Sequence, residues 1–205
     1  MDRGLPPVGD PAFWDAVYRD GTDEFELGHA APPLERGARE RPPGAGDALV
    51  LGCGRGHEAR LLAELGWETV VAIDFSTVAL EEARRLTEGT GHEQKIEWRQ
   101  ADLFGLGGAD VERFDLAVEH CCFCAIDPAR RGEWAHVVRR VLRPYGHLLA
   151  LFYHCGRAGG PPFDATRPEI ERILAGRFVI EHVEIPRDSI PKRQGKEILV
   201  RARRL

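Results

Sequence analysis

The sequence predicts an α/β fold, and three observations carry that expectation. From Asp47 onward short β-branched runs alternate with helical patterns, a glycine-rich turn joins the first run to a helix, and the last two runs follow one another directly. Such alternation gives stacked βαβ units and a mostly parallel sheet, and the closing pair of strands gives an antiparallel hairpin at its edge. Seven strands are expected.

Taken in order, Asp47 to Leu51 reads as a buried first strand and Gly52 to Gly56 as its turn. A helix follows, with Ala59, Leu62, Ala63 and Leu65 on one face and Gly66 closing it. Thr69 to Asp74 is a second strand ending in an acid, and the next helix carries Val78, Ala79, Ala83 and Leu86 on one face. Lys95 to Arg99, Phe114 to Glu119 and Gly146 to Tyr153 are the third, fourth and fifth strands. Between the last two, Asp127 caps a helix with Pro128 in its first turn and a core stripe of Trp134, Val137, Val138, Val141 and Leu142, which Pro144 and Gly146 stop. The chain closes with a helix near Pro168 to Ala175 and strands at Phe178 to Ile185 and Glu197 to Ala202.

Upstream of Asp47 the pattern changes to a short aromatic helix around Pro11 to Tyr18, then a Pro- and Gly-rich stretch through Arg41-Pro42-Pro43-Gly44. Residues 1–46 are too short and polar to fold alone and read as a lid on a core of residues 47–205. A chain of 205 residues suits one domain. Its 43% hydrophobic and 30% charged content is that of a globular, water-soluble protein.

Formal net charge is -5, and Lys and Arg are spread along the chain apart from Arg201, Arg203 and Arg204 at a strand end, so no nucleic-acid partner is expected. Met1 to Pro11 lacks the pattern of a secretory signal and no later stretch has the length of a membrane span, so a cytoplasmic monomer without membrane contact is expected. The cysteine count is odd, and Cys121, Cys122 and Cys124 crowd together, which fits reduced thiols better than a disulfide framework. Cys121 and Cys124 have Cys-x-x-Cys spacing, which zinc or redox chemistry can use. With no second pair to complete a zinc site, these cysteines read as small buried hydrophobes, and no metal is expected.

Chemistry centres on Gly52-Cys53-Gly54-Arg55-Gly56, where glycines let the backbone turn sharply and approach a ligand. About 22 residues past Gly52, Asp74 stands where a carboxylate accepts hydrogen bonds from both ribose hydroxyls of a nucleotide-like cofactor. The bland reading of the same residues is a plain turn and a helix cap. Nicotinamide sites use Gly-x-Gly-x-x-Gly to seat a pyrophosphate, whereas the third glycine here comes one residue early. That spacing suits S-adenosylmethionine, as does Asp102-Leu103-Phe104, which follows the third strand and fits the adenine-flanking acid of class I methyltransferases. His57 either faces the cofactor from its helix N-terminus or is solvated there.

A longer string of motifs, spanning about residues 13 to 197, narrows the resemblance. It comprises Phe13-Trp14, Tyr18, Gly21, Phe25-Glu26-Leu27-Gly28, Leu49 to His57, Asp74-Phe75-Ser76, Phe123-Cys124-Ala125-Ile126 with Pro128 and Arg131, Gly160-Pro161-Pro162-Phe163, and Arg193-Gln194-Gly195-Lys196-Glu197. The chain thereby resembles the thiopurine and thiol (or halide) S-methyltransferase family of class I enzymes. The resemblance implies a single-domain Rossmann-like class I methyltransferase fold with an N-terminal helical lid, S-adenosylmethionine as cofactor and S-adenosylhomocysteine as product.

It also implies that Trp14, Tyr18, Gly52, Cys53, Gly54, Gly56, Asp74, Phe75, Ser76, Asp102, Leu103, Phe104, Glu119 and His120 bind the cofactor. Phe13, Phe25, Leu27, Cys122, Phe123 and Arg193 are then expected at a small-molecule acceptor. Methyl transfer from a sulfonium to a thiolate destroys charge, so a dry pocket lined by Phe13, Trp14, Phe25 and Phe123 favours it and positions the nucleophile. A free thiol is partly ionised at neutral pH, and His120 is the candidate base or orienting partner, or else a strand-end residue flanking the cofactor.

Departures from the family pattern fall at the acceptor. Glu119-His120-Cys121-Cys122 differs from the plant members, the vertebrate thiopurine enzymes carry an Arg at the position of His120, and Phe25 replaces a common Trp. The expected reaction is methyl transfer to a small thiol or sulfide-like acceptor. Halide, tellurite, selenite or thiopurine acceptors, a non-catalytic cofactor-binding module and, more distantly, a nicotinamide oxidoreductase are the alternatives.

Overall fold

In a computed structural model, which describes residues 6–44 and 46–205, seven strands form one sheet. Five run parallel: β1 (Asp47–Leu51), β2 (Val70–Asp74), β3 (Ile96–Gln100), β4 (Phe114–His120) and β5 (Leu142–Tyr153). β6 (Phe178–Glu184) and β7 (Glu197–Arg204) complete it, with β7 antiparallel to both β5 and β6. The order β3-β2-β1-β4-β5-β7-β6 matches the expected α/β class, its parallel majority and its antiparallel end. Met1 to Leu5 and Ala45, part of the expected lid, lie outside the described residues.

Alternation along β1 shows how the two faces are filled. Leu49 and Leu51 join a cluster with Val71, Ile73, Trp134, Val138 and Ile170, while Ala48 and Val50 join the opposite one with Leu34, Ala59, Leu62 and Leu80. Side chains along a strand point alternately to its two faces, so a sheet covered on both sides needs apolar residues at every position. The helices behind these clusters are α3 (His57–Glu64) and α4 (Thr77–Thr87) on one face, and α5 (Arg131–Val141) and α6 (Arg167–Leu174) on the other. Residues beneath α4 are Ala79, Leu80, Ala83 and Thr87, so the buried stripe is rotated from the expected one and leaves Val78 and Leu86 half-exposed.

Two elements differ more from the sequence expectation. A second N-terminal helix, α2 (Pro32–Arg39), follows α1 (Pro11–Arg19) where a loop was expected, and it buries Leu34 and Ala38 in the core. Its Pro32-Pro33 start resembles a loop signal, but proline fits the first helical turn, where no N–H partner is lost. Arg36 ties this helix to the sheet edge by ion pairs with Glu184 at 2.6 Å and Asp188 at 2.8 Å. Pro32–Arg39, within the 1–46 stretch expected as a lid, is thus packed into the core.

β5 begins at Leu142 rather than Gly146. Its partners step from Phe114↔Leu142 to Leu116↔His147, and Pro144 sits within this irregularity, where no ladder N–H is required. A Cβ on Gly146 would stand 3.0 Å from the Phe114 carbonyl oxygen, which explains the glycine.

Candidate active site

The strand order reverses between β1 and β4, and in open α/β sheets ligands bind at such a switch, beyond the carboxyl ends of the strands. A cavity of about 920 Å3 lies there, at the upper end of the roughly 300–1,000 Å3 typical of small-molecule sites. Register aligns its walls. Leu51 pairs with Ile73 on one side and with Glu119 on the other, so Gly52, Asp74 and His120 come from adjacent strand ends.

The Gly52–Gly56 turn supplies the floor. Gly54 has φ +50, and a Cβ there would meet the Tyr18 hydroxyl oxygen at 2.7 Å; any larger residue would push into the space beneath the lid. Asp74 holds the turn in place, since its Oδ2 accepts the Gly54 N–H at 2.8 Å and its Oδ1 accepts the Ser76 N–H at 2.8 Å. Burial raises the Asp74 pKa despite those donors.

The opposite wall is residues 7–29. Phe13, Trp14, Tyr18 and Phe25 stack edge to face, with Trp14 and Phe25 6.3 Å and Tyr18 and Phe25 5.9 Å apart between ring centres. Three contacts latch this wall down. Asp15 accepts from the Ser76 hydroxyl at 2.6 Å, Arg55 pairs with Asp23 and Glu26, and Glu26 meets His57 Nε2 at 2.7 Å. Burial alone would raise the Glu26 pKa, but His57, the Gly28 N–H and Arg55 bring it down to about 2. His57 thus serves as a latch.

At the β4 end lies a charged cluster that the sequence only half reveals. His120 Nδ1 is 2.9 Å from Glu58 Oε1, and its Nε2 is 3.0 Å from Arg193 Nη1. A guanidinium can only donate, so in the neutral ring Nε2 carries the lone pair, while Nδ1–H donates to Glu58 in either charge state. Arg193 also reaches the Cys121 sulfur at 3.3 Å and Glu197 at 3.2 Å, and donates to the Phe25 carbonyl at 2.6 Å, joining the cluster to the lid. Burial disfavours a charged His120, but the Cys121 sulfur and the Glu58 carboxylate outweigh it and lift its pKa well above that of free imidazole. Glu58 is held low against its own burial by His120 and the Ala31 N–H.

Of the expected site residues, Phe13, Trp14, Tyr18, Phe25, Leu27, Gly52, Cys53, Gly54, Asp74, Phe75, Leu103, Phe104, His120, Cys122 and Arg193 line the cavity. Five do not, and each has a structural task instead. Gly56 packs against the Trp98 ring, leaving no room for a Cβ. Ser76 caps α4 by accepting the Ala79 N–H, and Asp102 accepts the Phe104 N–H and faces solvent. Glu119 is fully buried, accepting the Phe123 N–H at 2.7 Å, and Phe123 packs between Trp134 and Phe152 in the core.

Sequence reasoning missed Glu58 and read Cys121, which lines the cavity, as a small buried hydrophobe. Glu58 does leave a trace: it sits three and four positions before Leu61 and Leu62 on the buried stripe of α3, where a charge needs a partner. Among the described residues no group of three or more His, Cys, Asp or Glu is arranged to hold a metal ion.

These residues fit S-adenosylmethionine better than a dinucleotide. The N-terminal turn of α3, where a pyrophosphate would dock, carries the buried Glu58. The rings of Trp14, Tyr18 and Phe25 suit a sulfonium cation, since aromatic faces attract cations. Fold and site together define a methyltransferase that uses S-adenosylmethionine.

The comparisons narrow the class. The family model described as thiopurine S-methyltransferase (TPMT) matches residues 9–204, and the chain belongs to that family. Thiocyanate methyltransferase 1 of Brassica oleracea is 30% identical over 203 residues, covering 98% of this chain and 88% of that one. Thiopurine S-methyltransferase of Bordetella petrii is 28% identical, covering 91% and 90%. A Burkholderia thailandensis 1,6-didemethyltoxoflavin N1-methyltransferase, solved with its substrate and S-adenosylhomocysteine, shares the fold with TM-score 0.71 at 22% identity, over 95% of this chain and 86% of that one. Among the described residues no helix is long and apolar enough to cross a membrane.

Proposed function

We propose that the protein methylates the sulfur of a small thiol or hydrosulfide-like acceptor by direct in-line displacement, acting as a cytoplasmic monomer built as one methyltransferase unit. The observation that carries this reading is the buried Glu58–His120–Arg193 chain at the β4 end of the cavity, beside the turn that suits the cofactor.

When bound, S-adenosylmethionine supplies a methyl group on a sulfonium leaving group. Phe13, Trp14 and Phe25 exclude water, which favours a step in which charge is lost. In its neutral form, which prevails only above its raised pKa, His120 can take the thiol proton at Nε2; below that pKa the ring is an imidazolium held by Glu58 and, with Arg193, faces the acceptor as a cation that favours its thiolate. Arg193 is itself fixed by Glu197 and the Phe25 carbonyl, so the acceptor pocket takes shape as the lid packs down.

A second reading keeps the cofactor and replaces the thiol with an anion that has no proton to lose, such as a halide, thiocyanate, tellurite or selenite. Lys192, Lys196 and Arg157 on the cavity wall favour it, as does the name of the Brassica relative. A thiopurine acceptor is the corresponding reading from the Bordetella relative.

Formation of S-adenosylhomocysteine by the purified protein against hydrosulfide, alkyl thiols, thiophenol, a thiopurine, thiocyanate, iodide and tellurite decides among these. Turnover of sulfur acceptors that falls when His120 is replaced supports the first reading. Turnover of iodide or thiocyanate alone supports the second. Tight S-adenosylmethionine binding with silence across the panel would leave a non-catalytic binding module.

A further inference from the structure

All five cysteines touch the one cavity, and two of them are built differently from the rest. Cys121 has φ +63, a strained conformation for a residue with a side chain, and it is half-buried with its sulfur on the cavity wall. Its sulfur stands 3.3 Å from Arg193 Nη1, next to the His120 ring. Cys124 follows within the same tight turn, its sulfur 3.0 Å from the Cys121 carbonyl oxygen, in a 3-10 turn over Phe123–Ala125. Glu119 pins that turn through the Phe123 N–H.

We propose that Cys121 and Cys124 form a reversible disulfide in which Cys121 is the attacking thiol and Cys124 the resolving one, and that this bond switches off the acceptor end of the cavity. The disulfide itself rests on the geometry of the turn; only its effect on turnover rests on the function proposed above.

The electrostatics agree with that division of labour. Beside Cys124, His120 and Arg193 the Cys121 thiol is held well below an ordinary cysteine despite its burial. The Cys121 side chain, with burial, pushes Cys124 well above it. Burial also pushes Cys53 and Cys122 up, which leaves them poor nucleophiles.

With hydrogen peroxide as oxidant, the Cys121 thiolate attacks one peroxide oxygen: an S–O bond forms, the O–O bond breaks, and hydroxide leaves to take up a proton as water. Cys124 sulfur then attacks the Cys121 sulfur, so an S–S bond forms and the S–O bond breaks. The departing hydroxide carries away the Cys124 proton as a second water. Two thiols lose two electrons in all and one peroxide is reduced to two waters. The product lacks the anionic sulfur that Arg193 and His120 face, and it locks the turn beside the acceptor. A dithiol reductant reverses it.

The test uses the full chain, first reduced and then exposed to hydrogen peroxide, with peptide mapping of every cysteine. The expected product has lost two hydrogens, carries a Cys121–Cys124 link, and returns to the starting mass with dithiothreitol. Before oxidation, Cys121 is expected to alkylate with iodoacetamide at neutral pH at least tenfold faster than Cys53, Cys122 or Cys124. In Cys124→Ser the reaction is expected to stop at a sulfenic acid on Cys121, captured by a dimedone-type trap. Oxidation at another cysteine first, with Cys121 and Cys124 still reduced, would overturn the proposal, and this mapping of the unaltered protein needs no variant to fold. Loss of turnover on oxidation with S-adenosylmethionine affinity retained supports the switch; a disulfide that leaves turnover unchanged refutes it. If no acceptor is ever found, the mapping still decides whether the bond forms.

Discussion

His120 Nδ1 lies 2.9 Å from Glu58 Oε1, a link between the end of β4 and the first turn of α3 that fixes which ring nitrogen faces the cavity. Because Arg193 donates toward Nε2 at 3.0 Å, the lone pair of the neutral ring points to the acceptor side and the Nδ1 proton points to the carboxylate.

Glu58→Gln is expected to lower the His120 pKa, because a neutral amide no longer stabilises the imidazolium. The limb of the thiol pH–rate profile that reports His120 then moves to lower pH. An NMR titration of the His120 ring checks the sign directly, and an unchanged midpoint would show that Cys121 alone sets it.

Asp74→Ala is expected to weaken S-adenosylmethionine binding by about 1–3 kcal/mol, the loss of a buried acceptor for ribose hydroxyls. Calorimetry measures it. Unchanged affinity would reduce Asp74 to a strut for the Gly54 and Ser76 amides.

Glu119 is expected to make stability fall as pH rises. Burial raises its pKa to about 8 against the pull of the Phe123 N–H, and its second oxygen has no partner. The folded state therefore holds a proton that the unfolded chain releases near the usual carboxylate value of 4.5. Its stabilising contribution is complete below that value and is lost as pH climbs through about 8, a difference on the order of a few kcal/mol. Glu119→Gln keeps an acceptor for Phe123 and should flatten the profile. Urea unfolding of both proteins at pH 5 and pH 8 compares them.

Gly56→Ala is expected to destabilise the fold by about 1–3 kcal/mol, because φ is +76 and the new methyl would overlap the Trp98 ring. Thermal unfolding reads this without any cofactor. A normal Tm with weak cofactor binding would instead return Gly56 to the cofactor's contact shell.

Much of this was legible in the sequence where a local signal has one physical meaning. Strand alternation gave seven strands in the right places, and the spacing of Gly52, Gly54 and Asp74 gave three adjacent pieces of one cavity wall. Signals with two meanings say less. Ser76 and Asp102 are acids or hydroxyls at strand ends, where capping a turn and holding a cofactor ask for the same residue types, and the structure shows both as caps outside the cavity lining. Phe123 follows His120 closely enough to share its pocket, yet a tight turn directs the ring into the core between Trp134 and Phe152. The Glu58–His120 contact joins residues 62 apart in the chain, and only the folded sheet brings them together.

The central claim is that the Glu58–His120–Arg193 chain serves the acceptor rather than the cofactor, and His120→Ala tests it most directly. Turnover of a small thiol and S-adenosylmethionine affinity are measured on the same preparation. The account predicts a loss in turnover of about a hundredfold or more, the typical worth of a positioned base, with cofactor affinity nearly unchanged. Equal losses in both would contradict it and place His120 in the cofactor site.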